Sequence, residues 1–203
     1  MYKNRMCKKK LNKKISPVAS SVIALSCVAT ICVTLLSIAN VFLRLSPDEA
    51  ELRRINFLHS IISADSFEVL HDIDSDEKNI TLAEFNQKYP ESVLRVYRVS
   101  GGINDGIYII ESTAAGYNGS LTVVVVYNST GTVRMVAVKE SPPQEFVSKI
   151  SFEMLNLLLR GRAGNVGTAQ EFSAASTGAT RTLNGIISAV NLANIFYERH
   201  LSV

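Results

Sequence analysis

Beyond position 32 the sequence contains no cysteine: Cys7, Cys27 and Cys32 are the only three among its 203 residues. That absence excludes a disulfide, a thiolate metal site and a cysteine nucleophile from everything downstream, which must draw its stability from its own core. Charge is missing from Ile15 to Leu43, a run of 29 uncharged positions. Acidic residues are missing from the first fourteen positions, where Lys3, Arg5, Lys8, Lys9, Lys10, Lys13 and Lys14 supply seven of the 21 basic residues. The chain also has no Gly-x-Ser-x-Gly nucleophile elbow and no Walker-type glycine loop, so hydrolase and nucleotide-triphosphatase readings lose support. His59, His71 and His200 are scattered, with no pairing at metal-ligand spacing.

A bilayer-spanning helix needs about 20 apolar residues, and basic flanks stay on the cytoplasmic side. The pattern therefore predicts a cytoplasmic tail at 1–14, a transmembrane helix at 15–43, a juxtamembrane helical region at 44–92 and an extracytoplasmic domain at 93–203. This is a single-pass arrangement with the C-terminal domain facing outward. A cleaved leader is the alternative, although its apolar core runs only about 7–15 residues. Downstream of the tail, 18 acidic residues face 14 basic ones. That balance argues against nucleic acid as a partner, while the basic tail suits anionic membrane lipid.

Ser46-Pro47-Asp48-Glu49 reads as an N-cap, a first-turn proline and a capping-box Glu, followed by Leu52, Ile55, Leu58 and Ile62 at helical spacing. A short helix is expected within Asn79 to Tyr89, ended by Pro90. Strands are expected at Val93–Val99, Gly106–Glu111, Leu121–Tyr127 and Val133–Lys139, the last two joined through Asn128-Ser129-Thr130-Gly131-Thr132 as a β-hairpin. Glu145 to Arg160 has helical spacing, Gly161 to Ser173 reads as a small-residue loop, and a closing helix begins near Arg181. The class is α+β, one domain with an antiparallel sheet flanked by helices.

Asp72-Ile73-Asp74-Ser75-Asp76 imitates a calcium loop but places Glu77 where the sixth-position glycine belongs and Ala83 where the twelfth-position Glu belongs. A solvated acidic loop is the better reading. Asn79-Ile80-Thr81, Asn118-Gly119-Ser120 and Asn128-Ser129-Thr130 match glycosylation acceptors, a short pattern that matters only in a eukaryotic secretory setting. Ser176-Thr177-Gly178-Ala179-Thr180-Arg181-Thr182 feeds straight into the closing helix. Hydroxyls on such a loop face the unpaired N–H groups and positive dipole end of the helix, so they serve either as caps or as a seat for an attached phosphate.

Four segments in order carry a resemblance. Gly116-Tyr117-Asn118-Gly119 leads into an apolar strand, a glycine-turn hairpin follows, Lys139-Glu140-Ser141-Pro142 closes it, and Ser176-Thr177-Gly178-Ala179-Thr180 precedes the last helix. The chain resembles the FMN-binding domain of the flavin-carrying subunits of the Rnf and Nqr respiratory complexes. In that family an N-terminal transmembrane helix holds an outward-facing domain, so the resemblance implies a single-pass place in a bacterial inner (cytoplasmic) membrane with the C-terminal domain periplasmic or extracellular. The resemblance implies FMN held covalently by a phosphoester on Thr180, installed by a flavin transferase. Ser176, Thr177, Gly178, Ala179 and Thr182 then surround it, with Glu140, Ser141, Lys149 and Tyr117 as further cofactor-binding residues. It implies electron carriage within an Rnf-type ion-translocating oxidoreductase, beside other membrane subunits, with the Nqr-type counterpart as the alternative. Two departures stand out: Ala174 where the family commonly has Asp, and Pro142-Pro143-Gln144-Glu145 where it commonly has Pro-Gly-Leu-Gly. They motivate a flavin-free assembly module as a reading of a different class.

Overall fold

Five antiparallel strands stand side by side in chain order: β1 (Ser66–Asp72), β2 (Val93–Ser100), β3 (Tyr108–Gly116), β4 (Gly119–Tyr127) and β5 (Val133–Lys139). The helices are α1 (Pro17–Leu43), α2 (Pro47–Ile61), α3 (Ile80–Asn86), α4 (Phe152–Leu159) and α5 (Thr180–His200). The computed structural model describes residues 17–43, 47–74, 80–89, 92–117, 119–139 and 146–202. The basic tail, Ser46, Pro90 and the segment from Glu140 to Glu145 lie outside the described residues, as do Asn79 and Asn118. The chain divides into two units, Met1–Leu52 and Arg53–Val203.

In the first unit, the Thr30 hydroxyl donates to the Ser26 carbonyl at 2.8 Å and the Thr34 hydroxyl to the Ile31 carbonyl at 2.9 Å. The expectation of an N-terminal transmembrane helix over 15–43 is corrected here: among the described residues no helix is long and apolar enough to cross a membrane. Ser26, Thr30, Thr34 and Ser37 place hydroxyls along α1, which lowers its apolar character. The expected single-pass placement in a bacterial inner membrane rested on this helix and is corrected with it.

The second unit is an α+β fold with an antiparallel sheet, as expected. β4 explains how both faces of the sheet are covered. Its run Val123-Val124-Val125-Val126 has no polar alternation, the pattern of a strand buried on both sides. Val123 and Val125 join Val96, Ile110, Leu121 and Val136 in the larger core, which α3, α4 and α5 complete through Leu82, Phe85, Leu155, Leu159, Ile186, Val190 and Phe196. Val124 and Val126 face the other way, with Tyr97, Val99 and Ile109, and are covered by Leu58 and Ile62.

Several polar groups inside this packing have defined partners. The Tyr127 hydroxyl donates to Asn194 Oδ1 at 2.8 Å, and Asn194 Nδ2 donates to the Gly164 carbonyl at 2.7 Å. Burial pushes the Tyr127 pKa well above its ordinary value, with Tyr197 and Glu198 adding to the effect, so the phenol stays a donor.

Two asparagines repeat one device. Asn86 Nδ2 donates to the Val93 carbonyl at 2.9 Å while its Oδ1 accepts from the Val93 N–H at 2.8 Å. Asn156 treats Val136 on the edge strand β5 in the same way, at 3.0 and 2.6 Å. Each carboxamide imitates a neighbouring strand and satisfies backbone groups, and on β5 it also blunts an edge open to pairing. Asn156→Ala is expected to cost about 1–3 kcal/mol by leaving two backbone groups without partners. Thermal unfolding monitored by circular dichroism reads that loss directly.

Candidate functional site

The approach to α5 is built from small residues for a geometric reason. Segment 149–151 pairs with 175–177: the Thr177 N–H donates to the Lys149 carbonyl at 3.1 Å and the Ser151 N–H to the Ala175 carbonyl at 2.8 Å. An isolated antiparallel bridge joins Ile150 and Ser176 between them. Buried Ala175 and Ala179 let the backbone sit close to the core on either side of the turn. Gly178, at φ +82°, takes the left-handed conformation that turns the chain into the helix, and an added Cβ would meet nothing within 4 Å. The glycine is required there by backbone conformation, not by crowding.

Thr180 opens α5 and is exposed. The residue before it, Ala179, offers no side-chain cap, and no acidic residue lies in the first turn. Ser176 Oγ accepts from the Ala179 N–H at 3.1 Å, one position too early to cap the helix itself. The first turn of α5 therefore has neither a side-chain cap among the described residues nor an acidic residue of its own. This is the combination of unpaired donors and positive dipole end that receives an anion.

A cavity of about 370 Å³ opens beside Thr180, lined by Ala169, Gln170, Ser173, Ser176, Leu183 and Asn184. Its size falls in the range of about 300–1,000 Å³ usual for small-molecule pockets. Its walls are amides, hydroxyls and short aliphatics. Comparison with known protein families and with curated proteins finds no match for this chain. The chemistry of the site therefore rests on its own residues.

On the other side of the turn, the Thr177 hydroxyl donates to the Lys149 carbonyl at 3.3 Å. Lys149 Nζ lies 4.5 Å above the Phe146 ring, and Phe146 meets Tyr117 with ring centroids 4.3 Å apart. The fold thus gathers Tyr117, Lys149, Ser176, Thr177, Gly178, Ala179 and Thr180 around one turn. Thr182 is separate: it is fully buried in the core-facing side of α5, with no hydrogen-bond partner for its hydroxyl among the described residues. Glu140 and Ser141 lie outside the described residues.

Gln170, Ser173 and Asn184 were not singled out from the sequence. Asn184 follows Thr180 by four residues and so shares its helix face, a signal the spacing carried. Gln170 and Ser173 sit in a 3-10 helix, Ala169–Ala175, inside the stretch read as loop, where no periodicity marks an inward face. The acidic residues of the calcium-like stretch have another use: Asp72 Oδ1 lies 2.6 Å from Arg95 Nε, and Asp74 Oδ2 lies 2.9 Å from Arg95 Nη2. No cluster of His, Cys, Asp or Glu suited to a metal ion occurs among the described residues.

Proposed function

We propose that this domain carries FMN covalently, as a phosphoester on Thr180, and serves as an electron-carrier subunit of an Rnf-type oxidoreductase complex. The observation that carries the reading is the start of α5: an exposed Thr180 hydroxyl on a helix whose first turn has no cap and no acidic residue. FMN, once attached, supplies one-electron transfer.

Residues present fit a phosphate-bearing group. The free first-turn donors suit an ester phosphate, and the pairing between 149–151 and 175–177 holds the loop that presents them. An exposed anion at such a helix end gains about 0.3–1 kcal/mol from the dipole, enough to favour attachment there without driving it. Attachment therefore depends on a flavin transferase, which recognises the Ser176–Thr180 turn. Neighbouring redox subunits would then exchange electrons with the tethered flavin.

Co-production with a flavin transferase, followed by denaturing electrophoresis and in-gel flavin fluorescence, tests the reading. A fluorescent band at the chain's own mass supports it. An unlabelled chain, beside a known family member labelled in the same cells, contradicts it and leaves a flavin-free interaction module.

A further inference from the structure

At the opposite end of α5, about 30 Å from Thr180 along the helix, a second cavity of about 440 Å³ is lined by Glu84, Phe85, Lys88, Arg199 and His200. Three elements bring basic groups to this place. Lys88 follows α3, Arg199 and His200 form the last turn of α5, and His71 comes from β1. Glu84 is the one carboxylate on the cavity wall among the described residues. The negative end of the α5 dipole accounts for Arg199 and His200 being basic. It does not account for Lys88 and His71, which other elements supply.

Two rings, Phe85 and His200, stand on the cavity wall. His200 packs on Phe196 with centroids 4.7 Å apart and edge-on to Phe85 at 5.9 Å, and His71 meets Phe196 at 5.9 Å. Phe85 and Phe196 are buried, so the imidazoles are held by rings that cannot move without opening the core. We infer that this cavity is a binding site for a phosphate group, free or carried on an aromatic ester, with Lys88, Arg199 and the His200 imidazole as its donors. A dianion there removes the mutual repulsion of the cations, and the flanking rings suit a flat apolar substituent.

Partial burial, then His71, Arg199 and Lys88, lower the His200 pKa from its ordinary value. The neutral imidazole is thus favoured in the folded chain, and the unfolded chain binds more protons below about pH 6.5. Without a ligand, stability is full above that value and declines as pH falls from it through the lowered folded value. A bound phosphate reverses the preference by stabilising the charged ring.

Histidine resonances in the full chain, followed by NMR across pH, test this with inorganic phosphate and with phenyl phosphate against sodium chloride of equal ionic strength. The His200 midpoint is expected to rise saturably, and His59, whose ring packs against Phe67, serves as the reference resonance. Tighter binding of phenyl phosphate assigns an aromatic ester, and equal binding assigns free phosphate. The exposed pair Lys88→Ala and Arg199→Ala is expected to weaken binding about tenfold, equivalent to about 1.4 kcal/mol. An unmoved His200 in both additions, an equal shift at His59, or unchanged binding in the double variant would overturn the assignment.

Discussion

Thr180→Val is expected to abolish covalent flavin attachment completely while leaving thermal stability within about 0.5 kcal/mol of the parent. The side chain is exposed and has no packing role, so the two readouts separate cleanly. Only the hydroxyl is lost, the oxygen that would attack the flavin-bearing phosphorus of a flavin dinucleotide as the bond to the second phosphate breaks and the nucleoside monophosphate leaves. Thr180→Ser keeps it and is expected to remain labelled. Thr177→Val is a sharper control, because it removes a hydroxyl three residues away whose bond goes to the Lys149 carbonyl. That variant is expected to retain the label on Thr180. Intact mass of each variant, co-produced with a flavin transferase, distinguishes these outcomes. Labelling that survives in Thr180→Val would move the attachment elsewhere.

The largest stability effect is expected at Gly185. A Cβ there would lie 2.2 Å from the Ala115 carbonyl oxygen, 2.9 Å from its carbon and 3.2 Å from the Ala115 nitrogen. All three are backbone atoms of β3 and cannot swing aside. Alanine gains about 1 kcal/mol of helix propensity over glycine, but forcing α5 off the sheet costs about 1–3 kcal/mol or more. Packing wins because α5 buries Leu183, Ile186, Ile187, Ala189 and Val190 along the same contact. Gly185→Val is expected to lose about 3 kcal/mol or more. For a domain of this size that lowers the melting temperature by roughly 6–12 °C. Exposed Asn184 is the matched control: Asn184→Ala is expected to be neutral or slightly stabilising. Differential scanning calorimetry compares the pair, and a Gly185→Val protein as stable as the parent would refute the close helix–strand contact.

These two residues also show what the sequence makes legible. The final helix was readable because Leu183, Ile186, Ile187 and Val190 repeat on one face, and the β4–β5 hairpin because apolar strands flank a Gly131 turn. β1 was not readable. Ser66–Asp72 is an edge strand with a half-exposed burial pattern, and its acidic end serves Arg95 instead of a loop. The helix expected over 145–160 begins only at Phe152, where Ser151 Oγ accepts from the Met154 N–H at 3.3 Å. The residues just before it are taken by a 3-10 turn, Val147–Lys149, and by the pairing of Ile150 with Ser176. That pairing joins segments far apart in the chain, so no local periodicity announces it. It is also what fixes the turn before Thr180.

For the same reason, the hydroxyl-rich turn was visible as a motif but the cavity beside it was not. Gln170 and Ser173 reach Thr180 only through the 3-10 path of Ala169–Ala175. Uncharged length misled in the opposite sense at Ile15–Leu43. Absence of charge there was read as a membrane span, while the described residues contain no helix long and apolar enough to cross one.

The most direct test of the central claim is peptide mapping of the wild-type chain after co-production with a flavin transferase. The account predicts a single modified peptide, heavier by one FMN less one water, with fragmentation placing the added mass on Thr180. Unmodified peptide throughout, or added mass on any other residue, would contradict it.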